Sequence, residues 1–454
     1  MEITQSKLSR TSELAEFLER TRFDDIPENV REHTKLCILD WLGAALAGSV
    51  ERPGKISRSL VRELGGKPES TIVGAGWKSN CANAALANGI SGHTVELDDV
   101  NDVALIHPAA AVMPAALAVA ERCGSKGRDL IASVVLGYET EVRLGAAMIP
   151  SHYDYWHTTG TCGTFGAAVA AGKLLGLNKK QMIHALGIAG TQAAGLVETF
   201  GTMSKPLNPG RAAQSGVLAA LLAQKGFTST ERILDSSIGY CYAASRQPKL
   251  NEITEQLGTR YAVLKTCFKC HASCGHTHGA IDALQTIVSQ SGLKPETVEQ
   301  IMVETYPIAV NVVGNKPEPI TASEAKFNLN YCLAAAFLFG RVGLEEFTEQ
   351  RMSDPRVREL SKKVVVNVSQ EFANAVLGSA RVTVHDSRGG QMSVKVDVPK
   401  GYPENPLTAE ELKQKFIGLA RIALPMRQVE NLIKKVESLD SIRVSSLSIV
   451  LSRS

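Results

Sequence analysis

The sequence predicts a mainly α protein in which a large all-helical domain carries a smaller α+β domain. Three observations make that prediction. From Ser9 to about Lys225, apolar residues recur at three- and four-residue spacing with little alternation, the signature of helix faces. Strand-like alternation is concentrated later, in residues 380–386 (ARVTVHD) and 392–398 (MSVKVDV). Helical patterning then returns in residues 408–423 and 426–436. The chain end is therefore expected to rejoin the helical part, with residues 1–266 and 405–454 in one domain and 267–404 in the other.

The individual elements follow from local pattern. Residues 29–48, 109–122, 163–175 and 211–224 are predicted helices whose faces are built largely from Ala and Gly. Small side chains let helix axes approach closely, so these read as a tight bundle of buried helices. Residues 298–307 show partial alternation. The two β-like runs after it are joined by Ser-Arg-Gly-Gly-Gln at 387–391, a glycine-containing turn, which predicts a hairpin.

Composition narrows the function classes. The chain has 454 residues, 44% hydrophobic and 21% charged, with a formal net charge of +3. That balance points to neither nucleic acid nor a membrane surface as partner, so any attraction for anions must be local. No apolar run approaches the roughly 18 residues of a membrane span, and the first residues lack a secretory pattern; a cytoplasmic location is expected. Nine cysteines, an odd number scattered on apolar segments, fit reduced thiols better than a disulfide framework.

Residues 267–278 (CFKCHASCGHTH) support three chemistries. Cys267-x-x-Cys270-His271 spells the c-type haem attachment pattern, although that attachment normally needs an exported chain. Cys267 and Cys270 with His276 and His278 offer four zinc ligands, but no second Cys-x-x-Cys follows and the loop would be cramped. The third reading is a pocket wall for anions, with Lys269, Cys274 and His278 as working groups.

Other candidate groups lie elsewhere. His93-Thr-Val-Glu-Leu-Asp-Asp, followed by His107-Pro108, is a dense titratable cluster. Carboxylates beside imidazoles can poise a proton-transfer group near neutrality, and a helix end with solvated acids is the plain alternative. His157-Thr-Thr-Gly-Thr-Cys-Gly-Thr places an imidazole beside free backbone N–H groups at a helix start, an anion site or an ordinary cap. It is not a Walker loop, since Leu174 follows Gly172-Lys173. Ser204-Lys-Pro-Leu-Asn-Pro-Gly-Arg211 reads as a loop with two cations able to clamp carboxylates, or as solvated surface charge. Tyr331 heads an apolar helix, where most tyrosines are core residues.

Taken in order, these segments resemble the MmgE/PrpD family: HTVELDD with HPAAAVMPAALAVAE, WHTTGTCGTFGAA, KPLNPGRAAQSGVLAALLAQKGFT, FKCHASCGHTHGAIDA and EAKFNLNYCLAAA, spanning nearly the whole chain. The resemblance implies a homodimer with an active site between its domains and cofactor-independent, metal-free chemistry on small di- or tricarboxylic acids. It implies a pocket of Glu96, His107, His157, Lys205, Lys269, Cys274, His278 and Tyr331, with Asp98 and Asp99 as the acidic pair and Arg211 in support. On this reading His157 or His107 is the base, Lys205 and Lys269 bind carboxylates, and Tyr331 or Cys274 handles a second proton. The chain departs from the family pattern in carrying Glu96 where dehydratase and decarboxylase members carry Asp, and Cys274 where some carry His. A dehydratase of the 2-methylcitrate type is expected first, with epimerase or cis-aconitate decarboxylase chemistry as alternatives. A Cys/His metal- or haem-binding redox protein is the alternative of another class.

Overall fold

A computed structural model describes residues 9–373, 375 and 377–451. Its centre is the helix Thr158–Leu174, buried from Thr158 to Gly172. A helix clad in Ala, Gly and Thr has no polar face to turn to water, so neighbours surround it. Pro108–Cys123, Gly127–Met148 and Ser204–Gln224 pack against it, and Cys81–Thr94 packs against Ser204–Gln224. The close approach expected of small residues is literal at one crossing: a Cβ on Gly89 would lie 2.8 Å from the Cα of Gly210.

The α+β part holds a four-stranded sheet in the order Val364–Val368, Val298–Thr305, Ala380–Asp386, Gln391–Val396. The expected hairpin pairs antiparallel with Val382 opposite Val394. Its turn uses Gly389 at φ +81°, a conformation that favours glycine. Val364–Val368, which runs parallel to Val298–Thr305, was not legible in the pattern. At five residues it is too short to establish alternation. Helices His278–Ser291 and Leu329–Phe339 cover the sheet, and Ile281, Leu284, Ile301, Val303, Val382 and Phe337 share one core.

The chain end packs against the helix Glu28–Ser49. Leu412 and Phe416 of Ala409–Ala420 join the core of Leu39 and Leu42 from Glu28–Ser49. Lys415 of the same helix reaches Asp40 at 2.6 Å and the carbonyl of Leu97 at 2.7 Å. The Lys205 segment differs from expectation: it is helical from Ser204 onward and carries Pro209 inside the helix. Among the described residues, no helix is long and apolar enough to cross a membrane.

Candidate active site

Three chain segments meet under the groove between the helical bundle and the α+β part. The first runs from the end of the Cys81–Thr94 helix to the start of Pro108–Cys123. It delivers His93 from the last helical turn, then Glu96 at φ +59°, a left-handed conformation that costs a non-glycine residue on the order of 1 kcal/mol. His93 Nδ1 donates to Asp98 at 2.7 Å. Burial would raise the Asp98 carboxyl, but the neighbouring imidazoles of His93 and His107 outweigh it and hold the group ionised. Asp99 faces away from the groove, accepting from Tyr138 at 2.7 Å and from the backbone of Ala109 at 2.9 Å. Burial nevertheless lifts its carboxyl to about 8. Its main-chain carbonyl accepts from His107 Nδ1 at 2.8 Å, so Asp99 orients that imidazole.

The second segment is the start of Ser204–Gln224. Lys205 Nζ donates to His93 Nε2 at 2.9 Å and is ion-paired with Glu96. Phe200 and Phe327 flank the ammonium at 5.5 and 5.1 Å. The third is the loop after Cys267, held across from Val100 by a backbone bridge. It brings Lys269 Nζ to 3.3 Å from the other Glu96 oxygen. Glu96 therefore joins two buried ammoniums, which together overcome the burial that would raise its carboxyl and hold it well below the usual range. His157 caps the central helix, stacks on His93 at 5.6 Å and accepts from Asn208. Burial first, and then neighbouring positive charge, keeps His157 neutral; burial does the same for His107 despite Asp98.

This cluster opens into a cavity of about 420 Å³ lined by Glu96, Thr202, Lys205, Glu324, Lys326 and Phe327. A larger one of about 840 Å³, reaching Tyr153 and Phe200, shares Gly201, Glu324 and Phe327 with it. Cys274 is buried nearby, its backbone N–H bonded to the carbonyl of Lys326. Burial raises its thiol and Lys269 only partly offsets this, so it keeps its proton at neutral pH.

Glu96, Asp98, His107, His157, Lys205 and Lys269 thus come together, with Cys274 beside them. Asp99 faces away from the groove, and two further expected residues do not join them. Tyr331 donates to the carbonyl of Glu346 and packs on Phe347, so its hydroxyl is committed to the core. Arg211 lies on the exposed side of its helix and bonds to Gln214. Six residues on from Lys205, it is rotated about 120° out of phase with it. His278 is buried beside the loop's base, its Nε2 3.4 Å from the carbonyl of Ser273. His93 entered the expected titratable cluster without a role of its own, and Asn208 was not singled out. Both sit inside quoted motifs, but nothing in spacing distinguishes a bridging imidazole or a capped amide from its neighbours.

The metal and haem readings of residues 267–278 meet a geometric objection, because the side chains diverge. Cys270 points to the carbonyl of Lys400, His271 to Asp282 and His276 to Tyr306. Among the described residues, the only grouping of metal-ligand type is His93, Asp98 and His107. There both Nδ1 atoms are spent as donors and two ammoniums stand beside them, a set unsuited to a cation.

A neutral-imidazole, buried-lysine cluster at the foot of a groove has the make-up of an acid–base site for small anions. The chain belongs to the MmgE/PrpD family: the MmgE/PrpD N-terminal domain model matches residues 12–253 and the C-terminal domain model residues 271–441. It is similar to cis-aconitate decarboxylase of Aspergillus terreus, 28% identical over 97% of this chain and 95% of that one. It is similar likewise to cis-aconitate decarboxylase of Homo sapiens, 28% identical over 97% and 93%. Similarity to 2-methylcitrate dehydratase of Salmonella typhimurium is 23% identity over 61% and 60%.

Proposed function

We propose that this chain is a carboxy-lyase for small tricarboxylic acids, with cis-aconitate the first substrate to try. The observation that carries the reading is the Lys205–Glu96–Lys269 bridge: two buried ammoniums already arranged around a carboxylate. A substrate carboxylate entering the groove takes the place that Glu96 holds between them. The full-length similarity to decarboxylases reverses the order expected from the sequence, where a dehydratase came first.

The chemistry balances with one proton. In cis-aconitate the bond from the methylene carbon to its carboxylate breaks, and its electron pair forms a new C=C as CO₂ leaves. The original π pair moves to the carbon α to a retained carboxylate, giving an enediolate. Lys205 and Lys269, both buried, neutralise that charge where each contact is worth more than in water. Cys274, still a thiol, supplies the proton to carbon, and the product is methylenesuccinate.

One observation favours hydro-lyase chemistry as the second reading. His107 presents a bare Nε2, with its Nδ1 held by the carbonyl of Asp99 and 3.5 Å from Asp98, a base that dehydration requires and decarboxylation does not. Proton NMR of the enzyme with cis-aconitate or 2-methylcitrate in D₂O separates the two. Methylenesuccinate carrying one deuterium, with release of CO₂, supports the proposal. Dehydration of 2-methylcitrate with no turnover of cis-aconitate refutes it.

A further inference from the structure

Two histidines of the buried cluster are held in opposite tautomers, and their roles follow on the reading of the adjoining pocket as a carboxylate-processing site. His107 Nδ1 faces the main-chain carbonyl of Asp99 at 2.8 Å. A carbonyl only accepts, so Nδ1 carries the hydrogen and Nε2 is a bare lone pair. His157 Nδ1 faces Asn208 Nδ2 instead, at 3.1 Å.

The orientation of that amide is set one step further out. Thr199 Oγ1 donates to the carbonyl of Leu196 at 2.7 Å, so its lone pair is what it offers to Asn208 at 3.2 Å. The amide accordingly turns its NH₂ toward Thr199, and the same NH₂ donates to His157 Nδ1. The hydrogen of His157 is thereby assigned to Nε2. Asn208 is also clamped: a Cβ on Gly160 would lie 3.0 Å from its Cβ, and one on Gly195 would lie 3.1 Å from its Cγ. Among the described residues, neither Nε2 has a hydrogen-bond partner.

We propose that Asn208 is a positioning residue that keeps His157 in its Nε2–H tautomer, making His157 a neutral hydrogen-bond donor to the substrate rather than a base. This removes His157 from the two candidates for the base that the sequence left open. As a donor it steadies the enediolate as charge develops on the retained carboxylate, a task for which an uncharged imidazole is suited. Any proton-accepting role, which dehydration needs and decarboxylation does not, then falls to His107.

The test reads the tautomer directly, in resting enzyme. Long-range proton–nitrogen correlation spectra of protein labelled with ¹⁵N-histidine, with His157 assigned by its loss in His157→Gln, are expected to show a bare Nδ1 and a protonated Nε2. Wild-type His157 with its hydrogen on Nδ1 overturns the proposal whatever the activity. Asn208→Asp puts an acceptor at the same place. It is expected to move the hydrogen to Nδ1 and to lower kcat on cis-aconitate about a hundredfold with KM little changed. An Asn208→Asp enzyme that keeps both its tautomer and its kcat also overturns it. The expected wild-type spectrum without turnover of cis-aconitate supports the tautomer and overturns the substrate reading alone.

Discussion

Glu96 is the residue on which the site's electrostatics turn. It holds two ammoniums that would otherwise be buried side by side, and it does so from a left-handed backbone position. Removing one partner of a buried charge pair typically costs about 3–5 kcal/mol, because the other charge is left without compensation. Glu96→Gln is therefore expected to lower the thermal midpoint of the substrate-free enzyme markedly. It should also make that midpoint respond to inorganic sulfate, which would sit between Lys205 and Lys269. A scanning-calorimetry series with and without sulfate checks both; a variant as stable as wild type and indifferent to sulfate would show that the bridge is not what balances the site. Most of the residues in this cluster were legible in the sequence, because Lys, His and Glu in apolar surroundings announce themselves. Arg211 and Tyr331 announced themselves equally and were misplaced. Helical phase carries the arginine outward, and the carbonyl of Glu346 captures the tyrosine hydroxyl.

At the scale of elements, the geometry of the cluster depends on how closely two helices cross. Gly89 and Gly210 meet where Cys81–Thr94 passes Ser204–Gln224. His93 lies one turn beyond Gly89 and Lys205 just over one turn before Gly210, so this crossing sets the 2.9 Å contact between their nitrogens. A methyl group on Gly89 would meet backbone 2.8 Å away, which cannot swing aside as a flexible side chain would. Gly89→Ala should cost about 1–3 kcal/mol in stability through overpacking. It should reduce kcat by more than that loss of folded protein explains, since the helices must part at the site. Denaturant unfolding measured alongside kcat of the folded fraction checks this. Helix existence was written in the apolar spacing. The depth of this crossing was not, since a glycine pair reads the same whether helices touch there or not.

Across the whole molecule, the bundle tolerates a buried acid that the site does not use. Glu141 lies between Gly127–Met148 and Thr158–Leu174, where a Cβ on Gly166 would come within 2.7 Å of its Oε2. Neither oxygen has a hydrogen-bond partner among the described residues, and burial pushes its carboxyl well above the usual range. The folded chain therefore holds this proton where the unfolded chain releases it. In sign, an acid raised on folding is harmless below its unfolded pKa and becomes a growing penalty as pH climbs above that value. The thermal midpoint of Glu141→Gln should exceed that of wild type by a margin that widens between pH 5 and pH 8. A margin that is constant or shrinks over that range would show the carboxyl already ionised in the fold.

By itself the sequence determined the class of fold, its longer helices and its hairpin, and the chemical vocabulary of the pocket. Each of these depends on residues near one another along the chain: apolar spacing for helices, alternation and a glycine turn for the hairpin, short motifs for the ionisable groups. Tertiary structure decided the rest. It brought Lys269 to Glu96 across 173 positions and used Lys415 of the C-terminal helix to pin the carbonyl beside Glu96. It also made His93 a bridge between Asp98 and Lys205, and set the tautomers of two histidines through an amide and a carbonyl that carry no charge. The physical reason is common to all four. Local pattern records what a residue prefers, whereas a proton's place depends on which donor or acceptor the fold sets opposite it.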